Sequence, residues 1–335
     1  MLPHVAAPPI AMLPITMNSP QLIATIAFFL AFSQAIRAAE VDVFDQSGVK
    51  LENDTDDPKA IKIILIAGPA TATKAPGGHE YFAGCVLLAD LLKQTPGVHP
   101  VLVRDWPKNE KIFDGARAVL FYMDGGGKQS SVAAKDRIAK LDALAAAGVG
   151  MVHLHGSVDY PGATAENARA WLGGVWVAGY SNAGRGHWDT THDQFPSHPI
   201  TRGVTPWKIN DGWLCKMKFV DGMKGITPLV WSSKANSGSS KGGDEAIAGW
   251  AYDRPATDKR DPAMPSRSFV FTGIDAHEAW ALPGMRRFVV NGVLWSAGVE
   301  IPQDGAKCEL DVKTMNRCFD KRPAKPAGKA KTKEK

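Results

Sequence analysis

The chain has 335 residues, 44% of them hydrophobic, and a net charge of +5, which is a composition typical of a globular protein. The tail at 321–335 holds seven Lys or Arg and one Glu, so without it the basic and acidic counts fall from 39 and 34 to 32 and 33. A body this close to neutral argues against a nucleic-acid-binding protein. The basic, Pro- and Ala-rich tail itself is typical of a disordered segment.

The N-terminal residues 1–39 are predicted to be a signal peptide. An apolar run at 22–32 precedes small residues, and it is too short to span a bilayer. We expect cleavage between Ala35 and Glu40 and an exported protein, periplasmic or extracellular, with no other membrane contact. An uncleaved anchor is the alternative, and either Met1 or Met17 can be the start. Residues 40–59, which are polar and acidic, are predicted to be a linker.

The segment 61–92 predicts a strand, a loop and a helix. An apolar, β-branched run at 61–67 is typical of a strand buried on both faces, and apolar residues from Phe82 to Leu92 then recur at helical spacing. Further strands are predicted at 101–103, 116–123, 150–155 and 268–272, with helices at 133–147, 165–172 and 283–298. This alternation favours an α/β fold with a mostly parallel central sheet. Residues between 175 and 252 predict a strand-rich insertion or edge extension.

Four cysteines are present. Cys85 lies on the predicted apolar face of the first helix and is expected in the core. Cys308 and Cys318 are ten residues apart in a polar C-terminal extension, 304–320, and in an exported protein this spacing favours a disulfide between them.

Imidazole and carboxylate side chains follow several of the predicted strands. In a parallel sheet such residues gather at the carboxyl edge, where ligands bind. Imidazole titrates near neutral pH, so this set is suited to proton transfer or to metal binding. We expect catalytic roles for His155, Glu80, His187, His277 and Asp124. We expect substrate contacts from His79, Trp188, Trp213, Asp159 and Glu278, since indole rings pack on sugar faces and donate to hydroxyls.

Several motifs, in order, resemble the bacterial trehalose-utilisation, or ThuA-like, family. They are GGHEYFAGCVLLA at 77–89, YMDGGG at 122–127, GVGMVHLH at 148–155, HPITRGV at 198–204, FTG at 271–273 and VNGVLW at 290–295. The resemblance covers a domain at 60–303. It implies a flavodoxin-like three-layer sandwich of the class I glutamine amidotransferase type. The chain departs from the family pattern at Gly212, where the family often has Glu, at Asp275, where it often has His, and at Gly156, where it often has Tyr.

The turn after the central strand, at 153–159, holds no cysteine, so glutamine amidotransfer is excluded. The resemblance implies utilisation of trehalose or a keto-disaccharide, with a small carbohydrate as the partner. We hypothesise acid–base enolisation beside a keto group, as in a keto-sugar isomerase. A sugar-binding protein without activity and a metal-dependent hydrolase are the alternatives. A divalent metal is the one cofactor that this set indicates; the ion, the sugar and assembly into a homo-oligomer are left open.

Overall fold

A computed structural model describes residues 42–232 and 243–322. The predicted signal peptide, its cleavage site and the tail beyond 322 lie outside these residues. From Val43 onward the described chain belongs to one compact unit. Within the described ranges, no helix is both long enough and apolar enough to cross a membrane.

A seven-stranded sheet forms the centre. Its strands are β1 (Ile61–Ala67), β2 (Val98–Arg104), β3 (Ala118–Tyr122), β4 (Gly150–Leu154), β9 (Ile226–Trp231), β10 (Ile247–Asp253) and β11 (Arg267–Phe271). They lie in the order β2-β1-β3-β4-β11-β10-β9. Strands β2, β1, β3, β4 and β11 are mutually parallel, whereas β10 is antiparallel to both of its neighbours, β11 and β9. The prediction of a mostly parallel α/β sheet is therefore confirmed.

Helices cover both faces of the sheet. Alternate residues of β1 explain why: Ile63 and Leu65 pack in one apolar cluster, Ile64 and Ile66 in another. The first cluster includes α1 (Tyr81–Leu92) and α4 (Pro283–Ser296), and the second includes α2 (Lys135–Ala146) and α3 (Gly162–Leu172). The predicted three-layer sandwich follows directly from this division.

The strand-rich part of the chain contributes both to the main sheet and to separate antiparallel pairs. Strands β9 and β10 extend the main sheet, whereas β6 (Arg185–His192) and β7 (Trp207–Leu214) form a separate antiparallel pair. A short pair, β5 (Gly174–Val175) with β8 (Lys218–Phe219), completes the strands. The sequence did not predict β6, the strand that carries His187.

The predicted disulfide is absent, since all four cysteines are buried free thiols. The two ends of the 308–318 segment are held by different parts of the chain. Arg286 of α4 donates to the carbonyl oxygen of Cys308, at 2.9 Å, while Gln46 donates to that of Cys318, at 3.1 Å. The same bond of Gln46 shows that the expected linker packs against the domain.

Tyr122 at the end of β3 leaves no room for a side chain at position 84 of α1. A Cβ atom on Gly84 would lie 2.4 Å from Tyr122 Cε1, and the ring is fully buried. We expect Gly84→Ala to lower the free energy of unfolding by about 1–3 kcal/mol, measured by urea denaturation. Gly162→Ala is the matched control, because a Cβ there meets nothing within 4 Å. Equal stability of the two variants would contradict this packing.

His192, at the end of β6, is 1% exposed, and neither ring nitrogen has a hydrogen-bond partner. Burial lowers its pKa from 6.5 to about 3. A base with a depressed pKa in the folded state binds fewer protons there than in the unfolded state, so stability is lost as the pH falls below 6.5. Between pH 7.5 and 5.5 this loss is on the order of 1 kcal/mol. In urea denaturation, His192→Phe should remove this part of the fall in the free energy of unfolding at low pH. Parallel curves of unfolding free energy against pH for variant and wild type would refute the assignment.

Candidate functional site

The carboxyl edge of the parallel sheet brings the main polar residues together. His79 ends the loop after β1, Asp124 follows β3, and His155 follows β4. Asp275 lies in the turn after β11, and His187 reaches the same place from β6. Four separate chain segments and one hairpin therefore supply a single cluster, as expected for a ligand site in this class of sheet.

The backbone is strained at this edge. His79 has φ 53°, His155 has φ 54°, and Ile274, just before Asp275, has φ 61°. A side chain in the left-handed region costs on the order of 1–3 kcal/mol and persists where surrounding structure imposes it. Such outliers concentrate at functional sites. Here all three fix the direction of a residue in the same cluster.

His79 lies between two carboxylates. Its Nδ1 is 2.6 Å from Thr71 Oγ1 and 3.0 Å from Asp124 Oδ1, while the Thr71 hydroxyl donates to Asp124 Oδ2 at 2.6 Å. Since Thr71 has already used its hydrogen, Nδ1 of His79 carries the proton of this contact. The Nε2 atom then points to Asp275 Oδ1, 2.9 Å away.

His155 is oriented in a similar way. Its Nδ1 lies 3.2 Å from the carbonyl oxygen of Thr272, which can only accept, so Nδ1 is the protonated nitrogen. The other nitrogen, Nε2, lies 3.3 Å from Nε2 of His79. If His79 is neutral, two lone pairs face each other beside the carboxylate of Asp275. The arrangement therefore requires either a proton on His79 Nε2, donated to Asp275, or a cation between the two rings.

The electrostatics of the cluster reflect its burial and its close pairs. Burial opposes the charging of His79, but its hydrogen bonds to Asp124 and Asp275 outweigh burial and raise its pKa. The same bonds hold the pKa of each of these carboxyl groups well below its usual range despite burial. Burial lowers the pKa of His155 to about 4, so its ring is a neutral nitrogen ligand or base at neutral pH.

One group of three ligands stands out in the described residues: His79, His155 and Asp275, with one ligand atom from each, all within 4.8 Å of one another. The second oxygen of Asp275 lies 2.9 Å from His187 Nε2 and 3.0 Å from Lys74 Nζ. His187 is 55% exposed at its side chain, whereas Asp275 is only 4% exposed. The outer face of the cluster therefore carries a solvent-accessible imidazole.

Asp211 of β7 holds the turn that carries Asp275. Its carboxylate accepts backbone N–H bonds from Ile274 at 2.6 Å, Asp275 at 3.0 Å and Ala276 at 3.2 Å. Burial raises its pKa to about 7, although backbone N–H bonds from Ala276, Gly212 and Ile274 oppose the rise. Asp211 thus connects the β6–β7 hairpin to the main sheet at the site.

Gly212, next to Asp211, is essential for the position of Asp275. A Cβ atom at 212 would lie 2.2 Å from Asp275 Oδ2, so the carboxylate fills the space of the missing side chain. Gly212 and Asp275 are therefore sterically coupled, because any side chain at 212 would displace this carboxylate.

A cavity of about 190 Å³ opens onto the cluster. Pockets for drug-sized ligands have about 300–1,000 Å³, so this one suits a small polar ligand. Lys74 and Arg185 add positive charge to its wall, and Gly156, Gly186 and Gly212 add backbone without side chains. Arg185 also pairs with the buried Asp159, at 3.1 Å.

Four of the predicted site residues lie elsewhere. Glu80 is 1% exposed and faces away from the cluster, paired with Arg322 at 2.6 Å. His277 is buried, its Nε2 3.0 Å from the carbonyl of Met315. Glu278 is exposed on a short 3-10 turn and does not line the cavity. Asp159 lies behind Arg185 rather than on the wall.

The two predicted tryptophans use their indole N–H groups within the fold. Trp188 donates to Ser232 Oγ at 2.9 Å, and Trp213 donates to the carbonyl of Trp188 at 3.2 Å. Trp213 lines the cavity but is only 1% exposed. Neither N–H group is free to bind a sugar hydroxyl.

Sequence reasoning did not select four residues that the structure places here: Lys74, Thr71, Tyr81 and Asp211. Tyr81 donates to Asp124 Oδ1 at 2.7 Å, which makes it part of the support of His79. Asp275 was placed at this edge by its position shortly after the last parallel strand, but it was assigned no role. Lys74 and Thr71 lie in a Gly/Pro-rich loop whose path carries no periodic pattern.

No protein-family model matches the chain, and no curated protein matches it. The chain is similar in structure to ThuA-like proteins. One, described as ThuA-like and from Parabacteroides merdae ATCC 43184, is 18% identical with a TM-score of 0.48 over 74% of this chain and 95% of its own. Another, from Bacteroides uniformis ATCC 8492, is 13% identical with a TM-score of 0.44 over 76% and 97%.

Asp211→Asn tests the support of the Asp275 turn. The variant replaces an acceptor oxygen by an NH₂ group that faces backbone N–H donors, so we expect the free energy of unfolding to fall by about 1–3 kcal/mol in urea denaturation. Asp189→Asn, at an exposed acid of the same hairpin that accepts from Asn210, is the matched control and should change little. An unchanged stability of Asp211→Asn would show that its backbone bonds do not hold the turn.

Proposed function

We propose that His79, His155 and Asp275 bind a divalent metal ion and that the protein is a metal-dependent enzyme. The observation that carries the proposal is the convergence of two imidazole Nε2 atoms and one carboxylate oxygen within 4.8 Å. The other nitrogen of each ring is already engaged, by Asp124 and Thr71 for His79 and by Thr272 for His155. Metal-binding histidines almost always donate their second N–H in this way.

The donor set narrows the choice of ion. Two imidazoles and one carboxylate favour Zn²⁺, Mn²⁺ or Fe²⁺ over Mg²⁺ and Ca²⁺, which prefer oxygen ligands. Three protein ligands leave positions for substrate or water, which distinguishes a catalytic site from a structural one. His187, whose Nε2 lies 2.9 Å from Asp275, is close enough to join the set or to act beside it.

We infer that the ligand is a small carbohydrate with adjacent carbonyl and hydroxyl oxygens. The support is the ThuA-like resemblance of the sequence, together with a small cavity lined by charged groups and glycine backbone. A bound ion would polarise a carbonyl oxygen. His187, exposed at the outer side of the cluster, is the residue placed to take a proton from the neighbouring carbon. Lys74, 3.4 Å from His187, adds a positive charge beside any enediolate.

This assignment revises the roles proposed from sequence. His155 becomes a ligand rather than the base, and Glu80 and His277 leave the reaction because each is engaged elsewhere. Hydrolysis by a metal-bound water remains the alternative reaction at the same site, and sugar binding without turnover is the alternative function. Export also stays a proposal, which rests on the apolar run at 22–32.

Metal binding is tested by elemental analysis of the purified protein and by calorimetric titration with Zn²⁺ and Mn²⁺. We expect one ion per chain. His155→Ala should weaken binding by more than about 100-fold, because loss of a ligand costs more than the 10–100-fold typical of a group that only supports one. His99→Ala is the control, since His99 lies on β2 and contacts the carbonyl of Asn53. Equal affinity of the two variants would refute the site.

Turnover of 3-keto-glycosides distinguishes enolisation from hydrolysis. We expect conversion that depends on the metal and that chelation abolishes. His187→Ala should lower kcat while the metal stays bound. Isomerised product supports enolisation, and free sugar products support hydrolysis. Ligand binding without conversion in the metal-loaded protein would overturn the enzymatic proposal in favour of a sugar-binding protein.

A further inference from the structure

The C-terminal extension returns to the loop that carries His79. After α4 the chain runs through the extension at 304–320 to Lys321 and Arg322, which the sequence assigned to the disordered tail. The segment 318–322 lies against the loop at 69–80, so these first two residues of the predicted tail are ordered. That loop contains neither helix nor strand, yet it supplies Thr71, Lys74 and His79 to the cluster. Short turns within the loop and contacts from outside it together define its path.

Arg322 makes the densest of these contacts. Its Nη1 donates to Glu80 Oε1 at 2.6 Å, in an ion pair whose side chains are 8% and 1% exposed. Its Nη2 donates to the carbonyl of Gly78 at 2.5 Å, and its Nε to that of Thr71 at 3.4 Å. One planar guanidinium thus connects both ends of the loop, a geometry that the single ammonium of lysine cannot reproduce.

The partners of Arg322 are neighbours of the metal ligand or of its support. Gly78 and Glu80 flank His79, and Thr71 accepts from the His79 ring while donating to Asp124. Glu80 also accepts from the backbone N–H of Gly77, at 2.9 Å. A shift of Arg322 would therefore move the peptide units on both sides of His79.

Asp320 fixes the extension itself. Its carboxylate accepts from the backbone N–H of Ala70 at 3.2 Å, from Gln46 at 3.1 Å and from Arg104 at 3.0 Å. Its own backbone N–H donates to Glu80 Oε2 at 3.3 Å. Both Asp320 and Arg322 thus hold the outer side of the loop whose inner side faces the site.

We propose that Arg322, through its pair with Glu80, is a positioning residue for the metal site. His79 adopts φ 53°, a conformation that surrounding contacts must impose. The backbone N–H of His79 donates to the carbonyl of Asp275 at 2.9 Å on one side, and the Arg322–Glu80 pair supports the same turn from behind, so the C-terminal residues contribute to the site. This inference takes the metal ion from the proposed function. The contacts of Arg322 with the loop do not depend on that function.

The test compares metal affinity and stability in the full-length chain. The double variant Glu80→Gln/Arg322→Gln removes both charges without leaving one buried alone, and Arg322→Lys keeps the charge without the planar fork. Arg317→Gln is the matched control, because Arg317 lies in the same extension and pairs with the surface residue Asp90. We expect the first two to weaken Zn²⁺ binding by about 10-fold in calorimetry, and the control to leave it unchanged.

A second readout keeps the two proposals separable. In the metal-free protein, the ¹⁵N resonances of the His79 ring should shift in the double variant and stay unchanged in Arg317→Gln. If wild-type protein binds no metal, the proposed function fails, while a shift of His79 still supports the positioning role. Unchanged His79 resonances, or unchanged affinity where the wild type binds Zn²⁺, would overturn it even if the melting temperature falls.

Discussion

The site depends on one electrostatic constraint: the Nε2 atoms of His79 and His155 face each other at 3.3 Å beside the carboxylate of Asp275. Rotating either ring away would break a hydrogen bond. His79 is held by Asp124 and Thr71 through its other nitrogen, and His155 by the carbonyl of Thr272. A proton can satisfy this geometry, and so can a metal ion. The open side, with His187, leaves space for a further ligand on such an ion.

The fold delivers these groups through rigid strands and irregular turns. Strands β1, β3, β4 and β11 are neighbours in one parallel sheet, so the residues after them meet at one edge. The final directions come from turns that are strained and held from outside. Asp211 holds the Asp275 turn through three backbone bonds, and Arg322 holds the His79 loop. Both supports come from distant parts of the chain.

Much of this architecture is readable from sequence. Buried parallel strands are short apolar runs, and helices between them show their apolar stripe, so the layers and the strand ends could be predicted. Asp124 and His155 were found because each follows such a strand closely, and His79 because it ends the loop after one, at the start of a helix. His187 was selected too, although its strand, β6, was not recognised.

What could not be predicted is the direction of neighbouring side chains. Glu80 adjoins His79 yet turns to Arg322, more than 200 positions away in sequence. Asp275 enters the cluster, whereas His277, two residues later, contacts the carbonyl of Met315. The contact of Gly212 with Asp275 likewise joins strand β7 to the turn after β11. Tertiary contacts determine these side-chain directions, and they leave no pattern in the local sequence.

The central claim is that a metal ion lies between the two imidazoles. The most direct measurement is a crystal structure of the protein grown with Zn²⁺ or Mn²⁺, with anomalous diffraction recorded at the metal edge. The account predicts one anomalous peak bonded to His79 Nε2, His155 Nε2 and an oxygen of Asp275. Density showing His79 bonded directly to Asp275, with no peak between the rings at saturating metal, would contradict it.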